Sequence, residues 1–395
     1  MGGTSFSYEA EFLLPNGGPA YQVQQRLGLI RRESPLIVRR ALLSVVLTWL
    51  PMLILSLMEG RAFGHSVHVP FLRDYSTYGR YLIAMPVLIL AEAWIGPRVA
   101  EAVRHFKESG VVPEHDFPVF DAAIQRGMRL RDSLVVELLL LVLAYLTADA
   151  TIHTFSSGYS SWQLTAPGWE HPFTWAGRWN ALISFPLYHF LLYRWLWRLL
   201  IWYGFLRRVS RLDLRLTPSH PDRSGGIGFI GEVQLRFGIV FFALGAAASG
   251  VLANEILDWR LSLTMVLIQV SSLLALILLV GVAPLMMFTP QLFRVKRWGR
   301  HEYGTLSTAI TEIFQRKWIE GDNPQNEPIL SSRDLQSLAG LGTSYELVDR
   351  MRIVPFGPEL PILLILAVLI PIIPSLLTVI PLKEILLLAG RLLVG

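Results

Sequence analysis

Seven apolar stretches separated by polar loops constrain this chain more than any other feature. A helix that crosses a bilayer needs about 20 mostly apolar residues, with about 17 to 25 being usual. Hydrophobic residues form 52% of the chain and charged residues only 16%. The sequence therefore predicts an all-α, polytopic membrane protein with about seven transmembrane helices and a small helical cytoplasmic cap. The stretches are Ala41–Met58, Tyr81–Trp94, Ser133–Ala148, Asn180–Tyr203, Phe237–Ala253, Leu261–Phe288 and Leu360–Leu382.

The positive charge of the loops alternates from one loop to the next. Of the 35 Lys and Arg residues, 26 precede the first stretch or lie in every second loop after it, and the other three loops hold only 5. Loops rich in Lys and Arg stay in the cytoplasm, so this pattern predicts a cytoplasmic N-terminus and an external C-terminus. The same pattern explains the net charge of +5, so no nucleic-acid partner is needed to account for it. The expected partner is the lipid bilayer.

The predicted spans divide the chain into four parts. The parts are a cytoplasmic N-terminal segment (1–40), a six-helix membrane core (41–288) with cytoplasmic loops at 97–132 and 204–236, a cytoplasmic helical segment (289–359), and a seventh span with its tail (360–395). The loop at 97–132 is predicted to hold one short helix and a second helix that runs into the third span. The segment 289–359 is too small to bury a core alone, so we expect it to pack against cytoplasmic helix ends.

Three prolines, Pro371, Pro374 and Pro381, interrupt the seventh span, and Pro381 frees the carbonyl of Leu377. Pro371 and Pro374 remove backbone donors and free the carbonyls of Ala367 and Ile370. A simple kinked helix and a broken helix that lines a cation path both fit this pattern. A re-entrant hairpin over residues 360–395 is a third arrangement that the sequence leaves open.

The fifth stretch carries small residues on one face. Ala243, Ala246, Ala247 and Gly250 stand at helical spacing, and small residues let membrane helices approach closely. This helix is predicted to lie either at the centre of the bundle or at a subunit interface. The second arrangement would give a homo-oligomer through the small-residue face of Phe237–Ala253.

Four charged residues lie inside predicted spans. Glu92, Glu137, Arg194 and Arg198 all fall in the cytoplasmic half of the membrane by the predicted topology. A charge near the centre of a membrane helix costs about 2.5 to 3.5 kcal/mol on insertion scales, so we expect a glutamate within ion-pair reach of an arginine. The group is either a static ion-pair brace or a vestibule for an ion, a proton or an anionic group.

A glycine-rich segment before the fifth span forms a second candidate site. Consecutive glycines before a helix expose backbone N–H groups that can bind an anion. A tight turn with Asp222 as a cap is the alternative. The candidate binding residues are His220, Asp222, Arg223, Gly225, Gly226 and Gly228.

The sequence identifies no catalytic residue, no metal ligand set and no cofactor. With no cysteine in the chain, thiolate metal sites and disulfides are excluded.

Two segments carry a resemblance to a known group of proteins. The sequences HPDRSGGIGFIG at 220–231 and SYELVDRMRIVPF at 344–356 resemble segments of uncharacterised bacterial multi-pass inner-membrane proteins. The resemblance implies a bacterial inner membrane and brings no assigned activity with it.

These patterns favour three functions. The first is a channel or transporter for an ion or small solute, based on the intramembrane charges and the seventh span. The second is a membrane scaffold or signalling partner that acts through its cytoplasmic cap. The third is an enzyme that acts on a lipid or lipid-linked phosphate at the cytoplasmic face, through His220, Asp222 and Arg223.

Overall fold

A computed structural model gives the architecture of most of the chain. It describes residues 12, 14, 17–26, 28–29, 36–64, 67–155, 161–164, 173–258, 261–320 and 333–378, with the backbone alone for 149–155. Within these residues every regular element of secondary structure is a helix. Two isolated β-bridges occur in addition. In this described part of the chain, five helices are long and apolar enough to cross a membrane. The predicted all-α class is therefore confirmed, and the apolar helices indicate a membrane-embedded protein.

We label the main helices in chain order. They are α1 (Pro19–Arg26), α2 (Ile37–Met58), α3 (Tyr75–Glu108), α4 (Phe117–Arg131), α5 (Leu134–Phe155), α6 (Phe185–Val209), α7 (Phe229–Arg236), α8 (Gly238–Leu257), α9 (Leu263–Val282), α10 (Thr289–Trp318), α11 (Arg333–Asp349) and α12 (Glu359–Leu376). The residues Tyr78–Ala84 of α3 are π-helical, and a π-helical turn at Asn180–Ser184 leads directly into α6. We call the end of the bundle that holds Glu108, Val209 and Phe229 the basic end.

Five of the seven predicted spans coincide with the long apolar helices. These helices are α2, α3, α7 with α8, α9 with α10, and α12. The third predicted span lies in α5, whose apolar part Leu134–Ala148 is shorter. The fourth lies largely in α6, and its apolar stretch is interrupted by Arg194 and Arg198. The count of seven spans and the cytoplasmic cap remain predictions.

Two helices continue far beyond the apolar stretches that marked them. Helix α3 has 34 residues, or about 51 Å at 1.5 Å per residue, and the short helix predicted after residue 97 forms its last part, which ends at Glu108. The apolar composition stops at Trp94, but Ala102, Val103 and Phe106 continue the buried face of the same helix. The second predicted helix of this loop does not run into the third span, because α4 ends at Arg131 and α5 begins at Leu134.

The small-residue face of the fifth span is buried within the chain. A Cβ added at Gly245 would lie 2.5 Å from the carbonyl oxygen of Val368 on α12, and one added at Gly250 would lie 2.5 Å from that of Tyr75 on α3. Ala243 and Ala246 are buried as well. Helix α8 therefore takes the central position, which was one of its two predicted arrangements.

Helix α12 runs through both of its internal prolines. It continues past Pro371 and Pro374 to Leu376 without a break, and Ser375 contacts Ser249 of α8 at 3.2 Å between their hydroxyl oxygens. The close contact with α8 supports the helix where the prolines remove backbone donors. Pro381 and the tail lie outside the described residues.

Helices α10 and α11 form a hairpin at the basic end. Helix α10 continues α9 through a 3-10 turn, and together they span 56 residues, about 84 Å of helix. The base of the hairpin contacts the rest of the chain where Gly299 lies against Pro218. Farther along, Leu306 and Ile313 are 50% and 63% exposed, so part of the apolar surface of α10 is not covered by the residues that the structure describes.

Candidate functional site

Five charged side chains from four helices meet inside the bundle, and we call them the charge network. Glu92 of α3 lies between two arginines: its carboxylate accepts from Arg40 Nη2 of α2 at 2.7 Å and from Arg198 Nη2 of α6 at 3.0 Å. Arg194 Nε, one turn before Arg198, lies 3.3 Å from the carboxylate of Glu137 on α5. The structure thus brings together all four predicted intramembrane charges and adds Arg40.

The charge network is buried from solvent and faces the interior of the bundle. Arg198 is 3% exposed, and Arg40, Glu92 and Arg194 are all buried too. Three guanidinium groups stand against two carboxylates, so the network carries a formal excess of one positive charge. Isolated charges are expensive to bury, and an anion of one negative charge would balance this excess.

Sequence analysis missed Arg40 because it adjoins Arg39 in a basic stretch before the first apolar run. In the structure α2 begins at Ile37, and its register buries Arg40 while Arg39 is exposed. A signal for this was present, since Ser44 and Thr48 follow Arg40 at intervals of four. Polar residues at that spacing mark one face of a helix, and all three are buried.

A row of buried polar groups extends from the charge network toward the other end of the bundle. Thr48 Oγ1 donates to the carbonyl of Ser44 at 2.7 Å, and Ser184 Oγ donates to the carbonyl of Thr48 at 3.0 Å. Beyond them Tyr81 donates its hydroxyl proton to Asn180 Oδ1 at 2.6 Å. Tyr81, Asn180 and Ser184 belong to the two π-helical segments, and such segments are frequent at functional sites.

The far end of this row is closed by a buried carboxylate that sequence analysis also missed. Asp74 caps the start of α3 through the backbone N–H of Ser76. It also accepts from Trp162 Nε1 at 2.9 Å and from Asn254 Nδ2 at 2.6 Å. These neutral donors tie the loop before α3 to α8 and to the segment around Trp162.

The glycine-rich segment folds around its own aspartate. The Asp222 carboxylate accepts from the backbone N–H groups of Ser224 and Gly228, each at 2.8 Å, and of Gly226 at 3.1 Å. Partial burial disfavours the charged carboxylate, but these donors outweigh it and hold the pKa of Asp222 below its ordinary value. The N–H groups that the anion-binding hypothesis requires are thus already bonded to Asp222.

The other predicted residues of this segment serve the same turn. His220 Nδ1 lies 2.8 Å from Asp222 Oδ1 and 3.3 Å from Asp222 N. A single ring nitrogen cannot donate one hydrogen bond and accept another at the same time. Because the contact with the carboxylate is the shorter one, Nδ1 is the donor to Asp222 Oδ1. Arg223 and Gly225 have positive φ angles of 56° and 68°, and the side chain of Arg223 is exposed. The geometry matches the tight-turn interpretation.

The segments at 220–231 and 344–356 pack against each other. The backbone N–H of Arg352 donates to the carbonyl of Arg223 at 2.7 Å, and Ser224 Oγ donates to the carbonyl of Val354 at 3.4 Å. A Cβ on Gly231 would lie 2.7 Å from the carbonyl oxygen of Pro355. The segments therefore form one structural joint between the start of α7 and the chain that enters α12.

Replacing Asp222 with asparagine should destabilise this joint by about 1 kcal/mol, the net value of an ordinary hydrogen bond. The amide keeps one acceptor oxygen but cannot serve all three N–H donors. Because the folded pKa of Asp222 is lowered, its contribution is present above the unfolded pKa and is lost as pH falls through the folded one. Thermal unfolding measured against pH should show this acid-side loss in the parent and a reduced loss in the variant. Identical profiles would contradict the assignment.

Comparisons with known proteins found no match for this chain among family models, curated proteins or solved structures. The functional argument therefore comes from the geometry of the charge network and its surroundings.

Proposed function

We propose that the protein is a transporter for a small anion and that the charge network is its binding site. One observation carries this proposal: four helices of a membrane-embedded bundle place three arginines and two glutamates together in the interior. Ionisable groups inside membrane proteins face the bundle interior and mark ion and substrate pathways. If the network were only a static ion-pair brace, equal numbers of positive and negative side chains would be sufficient.

The excess of arginine is the reason for choosing an anion. Each arginine is a cation with several N–H donors and no acceptor, so the three arginines of the network require more negative charge than its two glutamates provide. Arginine also presents a planar set of donors that matches carboxylate and phosphate oxygens. A small anion supplies both the missing charge and the acceptors.

The polar row beside the network is our reason for a route, and the charge of the loops is our reason for an orientation. The polar row from Ser44 to Asn180 continues from the network between α2, α3 and α6. In this proposal α5 and α6 also cross the membrane, which gives seven spans, and the basic end faces the cytoplasm of a bacterial inner membrane. The alternating loop charge supports that orientation, and the resemblance of the two packed segments supports a bacterial inner membrane.

The proposal predicts that Arg194→Gln strongly lowers anion flux while the protein remains folded. The substitution leaves two arginines against two glutamates, a neutral set that does not require an anion. Arg207→Gln is the matched control, because Arg207 lies on the same helix but is exposed. We expect purified protein in liposomes to transport at least one of chloride, acetate and phosphate, with a loss of at least about tenfold, or 1.4 kcal/mol in transition-state terms, only in Arg194→Gln.

Two results would refute this function. One is a set of fluxes through parent liposomes that equals that of empty liposomes for all three anions. The other is equal flux in Arg194→Gln and Arg207→Gln, with both variants folded by size-exclusion chromatography.

A scaffold function is the second candidate, and the α10–α11 hairpin favours it. Leu306 and Ile313 stand two turns apart on α10 and are both exposed. A helical apolar surface of this kind can receive a partner helix. Loss of cellular function on replacing both by glutamate, with anion flux unchanged, would favour this candidate.

The geometry gives the enzyme candidate less support. The carboxylate of Asp222 is committed to backbone N–H groups and to His220. A cleft of about 460 Å³ does lie nearby between α3 and α7, but it is lined by residues such as Arg98, Glu232 and Arg236. His220 and Asp222 are not among its lining residues.

A further inference from the structure

The start of the chain is attached directly to the charge network. The backbone N–H of Ala20, in the first turn of α1, donates to Glu137 Oε2 at 2.7 Å, while Glu137 Oε1 faces Arg194. The N–H of Gly18 donates to Asp132 Oδ1 at 2.9 Å. One glutamate is therefore shared between an arginine of the network and the N-terminus of a helix.

Apolar anchors hold the same part of the chain against the bundle. Phe12 is 4% exposed and Leu14 is 1% exposed. The ring of Phe12 packs on Phe205 of α6 at 5.4 Å between centroids and lies close to Gly127 of α4. We call residues 12, 14 and 17–26 the N-terminal segment.

The space left between the N-terminal segment and the network is too small for an anion. A cavity of about 10 Å³ is lined by residues that include Gly17, Leu140, Arg194 and Arg198. About 10 to 15 Å³ of such volume is the minimum that holds one water molecule. The N-terminal segment thus lies over the side of the network that contains Arg194 and leaves no room for a solute.

We propose that the N-terminal segment is an internal plug that closes access to Arg194 and Arg198 from the basic end. The helix N-terminus provides N–H donors to Asp132 and Glu137, as helix N-termini do for anions generally. When the segment moves away, Glu137 keeps Arg194 as its partner and the small cavity opens to the solution. The functional meaning of the plug rests on the proposed anion site, whereas its existence does not.

Cysteine labelling can test the plug without measuring transport. The chain contains no cysteine, so a single Leu140→Cys substitution reports only the cavity beside Arg194. We expect a thiol reagent to react slowly with this parent. Val136→Cys, at another lining residue of the same cavity, replaces it if Leu140→Cys does not fold.

Two substitutions should release the plug, and each has a matched control. Gly18 has a positive φ, and a Cβ there would meet Glu137 at 2.8 Å; Gly28 also has a positive φ but has nothing within 4 Å. Gly18→Val should therefore raise the labelling rate at least tenfold, and Gly28→Val should not. Ala20→Pro removes the N–H donor at a position where a helix accepts proline, and Ala20→Ser retains it.

A comparison of labelling rates for reagents of opposite charge gives a second measurement. Once the plug is released, an anionic methanethiosulfonate should react faster than a cationic one, because Arg194 and Arg198 lie beside the same cavity. Equal labelling of the parent, Gly18→Val and Ala20→Pro would overturn the plug, and so would rapid labelling of the parent. Labelling that responds as expected in a protein without anion flux would support the plug and refute the transport function.

Discussion

Replacing Glu92 with alanine is expected to lower the free energy of unfolding by about 3 to 5 kcal/mol, the cost of removing one partner from a buried ion pair. The variant deprives Arg40 and Arg198 of the carboxylate that they share at 2.7 and 3.0 Å. Both guanidinium groups would remain in the interior, because their helices are held by extensive apolar packing. The cost of burying the two guanidinium groups without their carboxylate therefore raises the free energy of the folded state.

Glu101 provides the matched control for this prediction. It lies on the same helix and is paired with Arg98 at the same distance of 2.7 Å, but the side chains of Glu101 and Arg98 are both more than half exposed. Exposed pairs contribute about 0 to 1 kcal/mol, so Glu101→Ala should change stability little. Unfolding in detergent, followed by tryptophan fluorescence, would compare the two variants at one protein and detergent concentration.

A double-mutant cycle separates the ion pair from general disruption of the core. Combining Glu92→Ala with Arg198→Ala should destabilise the protein by clearly less than the sum of the two single effects, since the second change removes a charge that the first left without its carboxylate. Additive effects would show that Glu92 and Arg198 act independently. If the Glu92→Ala variant is as stable as Glu101→Ala, then the charge network does not contribute to the stability of the fold.

The sequence predicted the pairing of intramembrane charges because depth in a membrane is readable from helix position. Glu92, Glu137, Arg194 and Arg198 fall at a similar depth in the predicted topology, and the cost of burying single charges then requires partners. The choice of partners was not readable, since it depends on helix neighbours. Arg40 was missed for a related reason: only the register of α2 distinguishes it from the exposed Arg39.

Helix boundaries were less predictable than helix existence. Hydropathy detects the part of a helix that faces lipid, so the predicted second span ended at Trp94. The helix itself continues to Glu108, because a polar face directed away from the bundle does not interrupt backbone hydrogen bonding. The same reasoning explains why α10 continues α9 well past Phe288.

The glycine-rich segment shows a different limit. Its composition correctly indicates positive φ angles, which occur at Gly225 and Gly226, and convergent backbone donors, which are the N–H groups of Gly226 and Gly228. Composition does not say which acceptor occupies the donors. Asp222, within the same segment, supplies it, and an external anion would have to displace that carboxylate.

The central contact between α8 and α12 should be as sensitive to added volume as the charge network is to lost charge. Gly245→Val places a branched side chain where even a Cβ would lie 2.5 Å from the carbonyl oxygen of Val368 and 3.0 Å from the ring of Pro371. Overpacking of a well-filled core costs typically 1 to 3 kcal/mol and occasionally more. We expect about 3 kcal/mol here, because the obstacle is backbone in a helix and cannot rotate away.

Gly340→Val is the control for this substitution, since Gly340 also lies in a helix but has nothing within 4 Å of its Cβ position. Its effect should stay within about 0.5 kcal/mol, because valine has a somewhat higher helix propensity than glycine. Thermal unfolding of both variants in detergent gives the comparison. If Gly245→Val unfolds at the temperature of Gly340→Val, then α8 and α12 can separate without cost. The central position of α8 would then be wrong, and its small-residue face would be free to contact a second copy of the chain.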